Sequence, residues 1–486
     1  MISQICHQNK IEVLSPHLTQ VRRKHYGTQL RNNRSTTAIF FDPSRVQAIA
    51  QQSGFVQRTP KLNGPIFLQA MVFTSIEQEQ ATLKQFAQSC LDLGIEISEQ
   101  GFDNRLGSQS VAFLEEMFRQ AMEQFRNKLP LPLPILHQFS HIYILDSSSI
   151  ALPESLADEY PGSGGNASSA SLKIQLLFEF LCGNLEQVVL RPGREPDQSY
   201  ADYLPVIKPG ALTMIDLGYF KLDHLKELVS EGYFLSRYLP GTSLLTPEGD
   251  LIDLLPLLQA NPNQRLDMPV LLGKQNKHQI PVRLIAIPLS QEAADRRRYK
   301  AKQAAKRRGK PISKERLALL GWLIFVTNVP ESMLSVEQVA LLYRVRWQIE
   351  LVFKLWKSFC GLRHVADLRR DRLLTELYAR LIGVVLTHFL TGPLRMPYGR
   401  EANREISPVQ VRKIFKRFAR SLNKILLNFD QLVRELAQML NHIRLFGFKQ
   451  KRKKEPNICH ALALASAVYK LEFKTQDKVE LLAIFT

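Results

Sequence analysis

A chain of 486 residues, 45% of them hydrophobic, can form about two to four domains with real cores, which excludes a disordered or fibrous protein. Its formal net charge of +19 points to a polyanionic partner, either nucleic acid or an acidic membrane surface. The five cysteines (Cys6, Cys90, Cys182, Cys360 and Cys459) show neither zinc-ligand spacing nor a disulfide framework, so a reducing cytoplasm is the expected setting.

No signal-like apolar core opens the chain. Residues 1–30 are polar and basic and are expected to form an arm. From about 36 to 130 the pattern is helical. Leu83 to Gly94 is expected to be a helix closed by a glycine cap, and Ser98 to cap a second helix carrying Gln100, Asn104 and Arg105. Helix, glycine turn, helix is the outline of a DNA-reading motif, though also of many ordinary helical pairs. The alternating Leu and Pro from Leu129 to Pro134 cannot be helical and mark a linker.

Beyond residue 140 the period changes to that of strands. His141 to Leu145 is a strand leading into Asp146. Leu172 to Leu181 and Gln187 to Leu190 are a second and third, joined through Gly183 and Asn184. After a short helix at 200–207, Ala211 to Ile215 is a fourth strand running into Asp216. A helix over His224 to Val229 and a fifth strand over Tyr233 to Tyr238 follow. Trp322 to Thr327 is a further strand, and Ser335 with Gln338 forms a capping box that opens a helix. Three meandering strands, then helix, strand, helix, strand and helix, is the ribonuclease H-like α/β order. In such a sheet the first and fourth strands are neighbours, which brings Asp146 beside Asp216.

The expected division is a helical N-terminal domain (1–135), an α/β domain (136–395) and a helical C-terminal region (396–486). Residues 239–321 are expected to be a β-rich insertion. It ends in a cationic run from Arg296 to Lys310, which is either a solvated face or a phosphate-binding flank. The apolar stretch Leu381 to Leu394 is too short to span a bilayer and is expected to be a core helix; no membrane partner is expected. A second basic run covers Lys449 to Lys454.

The stretch Ala340 to Lys357 carries the most chemistry. On one continuous helix Tyr343, Arg346, Glu350 and Lys357 fall at about 0°, 300°, 340° and 320°, within one arc. Val345, Ile349, Val352 and Trp356 cover the opposite side and can pack on a core. An acid and two cations directed the same way suit a metal ion and a phosphate backbone. Asp146, Asp216 and Glu350 would form an oxygen cage for two Mg2+ ions, with Mn2+ as substitute. Asp146 and Asp216 could equally be turn caps. Asp223 is a rival ligand that fits better at a helix start.

Tyr343, Arg346, Glu350 and Lys357, spaced Y-x2-R-x3-E-x6-K, resemble the signature helix of bacterial DDE transposases of the insertion-sequence-four family. Asp146 with Ser148 resembles the first acidic motif of that family, and Asp216 to Phe220 the second. The resemblance spans about 135 to 395. It implies a ribonuclease H-like core and cut-and-paste transposition by strand cleavage and 3′-hydroxyl transfer through a hairpin. It implies that Tyr343, Arg346 and Lys357 hold the DNA strand near the cut, and that Trp322 stacks on an extruded base. Arg237 is a further candidate DNA contact. The implied partners are double-stranded DNA (terminal inverted repeats and target) and a second copy of the chain, in a nucleoid-associated cytoplasmic setting. An inactive DNA-binding relative, or a nuclease of the same fold without strand transfer, remains open at this point.

Overall fold

The computed structural model describes residues 35–57, 61–128, 130–131, 133–164, 168–274, 277–359, 369–391, 407–426 and 428–448. The N-terminal arm and the Lys449 to Lys454 run lie outside them. The described residues fall into two compact units, one running from Pro132 to Lys354 and the other joining the residues up to Leu131 with those from Leu355 onward. The division between the units falls at Leu131 and Pro132, within the Leu129 to Pro134 stretch. The described residues from Leu355 onward group with those up to Leu131.

The helical unit begins with α1 (Pro43–Gln52), α2 (Gly64–Glu77), α3 (Leu83–Asp92), α4 (Glu99–Asp103) and α5 (Ser108–Gln124). Thr82 and Gln85 close a capping box on α3, and Gly94 adopts a φ of 87° at its end. Ser98 caps α4 as expected, but α4 is only five residues long and ends at Asn104. Arg105 turns inward: it donates to the Phe55 carbonyl at 2.6 Å and lies over the Phe55 ring. The second helix of the pair is thus a short turn whose arginine is used for packing.

The second unit is built on one nine-stranded sheet. Its elements are β1 (Ile142–Leu152), β2 (Ala170–Glu179), β3 (Asn184–Pro192), β4 (Leu212–Ile215), α6 (Leu222–Glu231), β5 (Tyr233–Arg237), β6 (Leu244–Leu245), α7 (Leu254–Ala260), β7 (Leu266–Lys274), β8 (Lys277–Pro288), α8 (Gln291–Arg307), α9 (Lys314–Leu319), β9 (Trp322–Thr327), α10 (Val336–Val345) and α11 (Gln348–Phe359), the last crossing the boundary between units. The strand order is β3-β2-β1-β4-β5-β9-β8-β7-β6. β1, β4 and β5 are parallel, and β2 and β3 extend antiparallel from β1. This is the expected ribonuclease H-like core. The insertion is β-rich as expected, but it is no separate piece: β9 pairs with β5, and β8, β7 and β6 continue the same sheet.

β2 is buried along its whole length although it contains Lys173, Gln175 and Glu179. Each finds a partner, as buried polar groups must. Lys173 pairs with Asp197 at 3.0 Å, Gln175 accepts from the Tyr219 hydroxyl, and Glu179 accepts from the Leu181 and Cys182 amides at 2.8 Å. One face of the sheet packs on a cluster that includes Tyr143, Leu145, Ile215, Phe234 and Val326. The opposite face carries the residues described below.

The chain ends with α12 (Arg370–Thr391), α13 (Pro408–Ile425) and α14 (Phe429–Phe446), all in the helical unit. α12 is long and apolar enough to cross a membrane by composition, but 89% of its apolar window is buried in the protein. It is a core helix, as expected for the described part of Leu381 to Leu394. It meets α5 through a Ser110–Thr375 hydrogen bond of 2.8 Å and a Tyr378–Glu115 bond of 2.7 Å. Gly383 lets α2 approach closely, because a Cβ there would lie 2.8 Å from Ile76.

Candidate active site

Register brings the two aspartates together. β1 and β4 run parallel with Leu145 beside Ile215, and Asp146 and Asp216 are the next residue on each strand. Alternation then turns both side chains to the sheet face opposite Leu145 and Ile215. β4 stops at Ile215, and Asp216 enters the 3₁₀ turn Leu217–Tyr219. β1 instead continues through Asp146, paired to β2 at Leu176. The edge of β1 that faced β4 is therefore released where the carboxylates sit.

Glu350 arrives from α11. One residue joins it to the strands: the Arg346 guanidinium donates to Asp146 Oδ2 and to Glu350 Oε1, each at 3.2 Å. Arg237, the last residue of β5, donates to Asp216 Oδ1 at 2.8 Å. Three acids from a strand, a strand end and a helix thus share one constellation with two arginines.

The charges are not equivalent. Burial pushes the Asp146 carboxyl up to about 6; the Ser147 amide and Arg346 oppose this, while Asp216 and Glu350 add to it. Burial also works against the Asp216 charge, but Arg346 and Arg237 outweigh it and hold that carboxyl below its ordinary range. Arg346 is itself desolvated, yet Tyr343 and the surrounding carboxylates keep its pKa above the usual arginine value. The Nε atoms of Arg346 and Arg237 are both buried and have no hydrogen-bond partner among the described residues. Each is a donor held ready at the rim of a carboxylate cluster.

Tyr343 stands over this group. Its hydroxyl lies 3.4 Å from the Ile215 carbonyl, its ring packs on Phe325, and burial raises its pKa. Lys357 is half-buried on α11 and belongs to the helical unit. The signature stretch is two helices rather than one. Between α10 and α11, Arg346, Trp347 and Ile349 donate to Tyr343, Arg344 and Arg346, three residues back, as in a 3₁₀ turn. The single-helix wheel is corrected accordingly, although Val345, Ile349 and Trp356 are buried as it required.

Trp322 lies apart from the acids. It begins β9 with the parity of Ile324 and Val326, opposite to Phe325, which pairs with Arg237. Alternation places it on the other face of the sheet from the acids, 9% exposed within the hydrophobic cluster. In this structure the ring is a core side chain of the sheet. Trp347, in the turn beside Arg346, is 55% exposed. Its signal in the sequence was its position at the edge of the polar arc. Asp223 lies in the first turn of α6, 3.3 Å from the His278 ring nitrogen, and does not join the acids.

Among the described residues, no three carboxylate, imidazole or thiol groups already converge closely enough to hold a metal ion. The donor set nevertheless fits a hard divalent cation, being all carboxylate oxygen. In this structure the positive charge between Asp146 and Glu350 is supplied by Arg346.

Residues 137–386 match the family described as the transposase DDE domain, so the chain belongs to the DDE-domain transposases and is a DNA transposase. It is 28% identical over 448 residues to the transposase for insertion sequence element IS1151 of Clostridium perfringens, covering 87% of this chain and 94% of that one. It is also 28% identical over 434 residues to the transposase for IS231B of Bacillus thuringiensis subsp. berliner, covering 84% and 89%. Among solved structures it is similar to the piggyBac transposase synaptic complex with hairpin DNA, at 10% identity, with a TM-score of 0.45 and coverage of 90% and 89%.

Proposed function

We propose that this transposase excises and reinserts an insertion sequence, with Asp146, Asp216 and Glu350 as the catalytic acids. The observation that carries this is that Arg346 bridges Asp146 and Glu350 while strand register sets Asp216, held by Arg237, beside Asp146 at the released edge of β1. Their oxygens would hold Mg2+, with Mn2+ as substitute, as two ions. Bound there, such ions supply Lewis acidity and lower the pKa of the attacking hydroxyl.

The rest of the work belongs to the chain. Arg346 and Arg237 each keep a buried Nε–H donor unspent, and a phosphate oxygen would satisfy it. Arg346, which here neutralises Asp146 and Glu350, would be free to turn toward the scissile phosphate with those carboxylates holding a cation instead. Tyr343 walls the cluster and limits how the strand can lie. Lys357, further along α11 than Glu350, adds a point charge. Nicking at an element end frees a 3′-hydroxyl, which attacks the opposite strand. The resulting hairpin is opened, and the 3′-end joins target DNA. Two ends handled together call for a dimer, with the terminal helices as candidate contacts, working on nucleoid DNA in the cytoplasm.

Linear duplex carrying the element's terminal inverted repeats, incubated with protein and Mg2+, should be cut and joined. Glu350→Gln should reduce cutting to background while end binding survives, both read on gels. Persistent cutting by Glu350→Gln would remove Glu350 from the catalytic set. Cutting without joining would replace the transposase mechanism with a nuclease one.

A further inference from the structure

The insertion contains a surface that the chemistry at the three acids does not use. From Arg296 to Lys314 the chain carries ten Lys and Arg and no Asp or Glu. Most of this run is α8, capped by Ser290 and buried through Ala293 and Ala294. Arg297 donates to the Trp322 carbonyl at 2.7 Å, and Arg298 to the Leu317 carbonyl at 3.2 Å and to Asp295 at 3.0 Å. Arg297 therefore ties the helix to β9, and Arg298 ties it to α9. The others face solvent. Lys300, Lys302, Lys306, Arg307, Arg308 and Lys310 are exposed, and none forms an ion pair with another described residue. Tyr299 lies among them, 65% exposed.

Helix electrostatics explain only part of this. Acids in the first turn and cations in the last suit the macrodipole, which accounts for Glu292, Lys306 and Arg307. Lys300 and Lys302 lie in the middle, where the dipole gives nothing, and Lys302 repels Lys306 four residues on, which destabilises the helix. Location adds a second argument. Arg297 is close enough to Arg237 for the two charges to repel, and Arg237 holds Asp216. The anchored side of α8 is thus one arginine away from the catalytic acids. A helix of this length spans about 25 Å, some seven base pairs of duplex.

We propose that the solvent face of α8, with the Arg308–Lys310 turn, is a phosphate-binding surface that grips duplex DNA next to the scissile bond. This rests on the transposase function and names a contact for it outside the acidic cluster. The same chemistry could serve two duplexes, the donor DNA flanking the element or the target DNA.

The test is the triple variant K302Q/K306Q/R307Q, whose side chains are exposed; its melting temperature should match the wild type. Binding is measured across a salt series on three duplexes: an element end already cut, an end with about ten base pairs of flank, and an unrelated duplex as target. Each lost phosphate contact lowers the slope of log K against log salt by about 0.9, so a fall of up to about 2.7 is expected. A fall confined to the flanked end assigns the surface to donor flank; one confined to the unrelated duplex assigns it to target. Unchanged slopes on all three, or an equal fall on all three, would overturn the proposal, since a diffuse positive field has no preferred duplex. Failure of the transposase mechanism has a different signature: the wild type would leave the end-bearing duplex uncut at every salt concentration.

Discussion

Asp146 is held against its own charge. Its carboxyl rises from 3.8 to about 6, chiefly through burial. Between those values the folded protein keeps a proton that the unfolded chain has lost. This group therefore favours folding below about pH 4, and the contribution is lost as pH rises through about 6. A shift of this size corresponds to roughly 2–3 kcal/mol. Asp146→Asn removes the titration, so in chelator its stability should gain on the wild type between pH 4 and 6 and keep the advantage above. Thermal melts across that range check it, and parallel curves would show that Asp146 ionises freely. The clustered acids and Arg346 were legible because their spacing binds them to one short stretch and two strand ends. Trp322 was legible only as a type of residue. Which face it takes depends on strand parity counted from Phe325 and Arg237, and the pairing of β9 with β5 is a long-range fact.

At the scale of elements, five parallel or meandering strands could be placed from alternation alone, because each is a short apolar run ended by a turn. β1 is longer than its apolar run, since Ser147, Ser148 and Ser149 continue the ladder against Gln175, Ile174 and Lys173. A serine run carries no strand signal, and the partner strand decides. The break at Arg346 was likewise hidden, because the sequence there contains no Gly or Pro. The start of the same stretch was readable. Ser335 accepts from the Gln338 amide, and the Gln338 side chain accepts from the Ser335 amide. That box fixes the entry of α10, which bears Tyr343 and leads to Arg346. Ser335→Ala should cost about 1 kcal/mol, and Ser335→Asp should restore most of it. Chemical denaturation of the three proteins reads this directly. A null effect of the alanine would mean that packing alone sets the helix start.

At the scale of the molecule, the sequence showed two helical ends, and linear order made them look like separate domains. Their union rests on contacts more than two hundred residues apart. Phe125 packs on Phe389, Phe118 on Tyr378, and Arg420 pairs with Asp92 at 2.8 Å. α2 is buried on nearly all sides, so no amphipathic face announces its neighbours. Residues 1–131 alone would leave this surface bare, along with the Ser110 and Glu115 partners of α12. Such a fragment should be helical by circular dichroism yet lack a cooperative melt and bind hydrophobic dye, as a loosely packed state does. Adding a fragment that covers residues 355–448 should restore the transition, because α12 and α13 complete the core rather than extend it. A sharp melt for residues 1–131 alone would mean that the N-terminal helices form an independent domain after all, and that the buried faces of α2 and α5 find other partners within the first 131 residues.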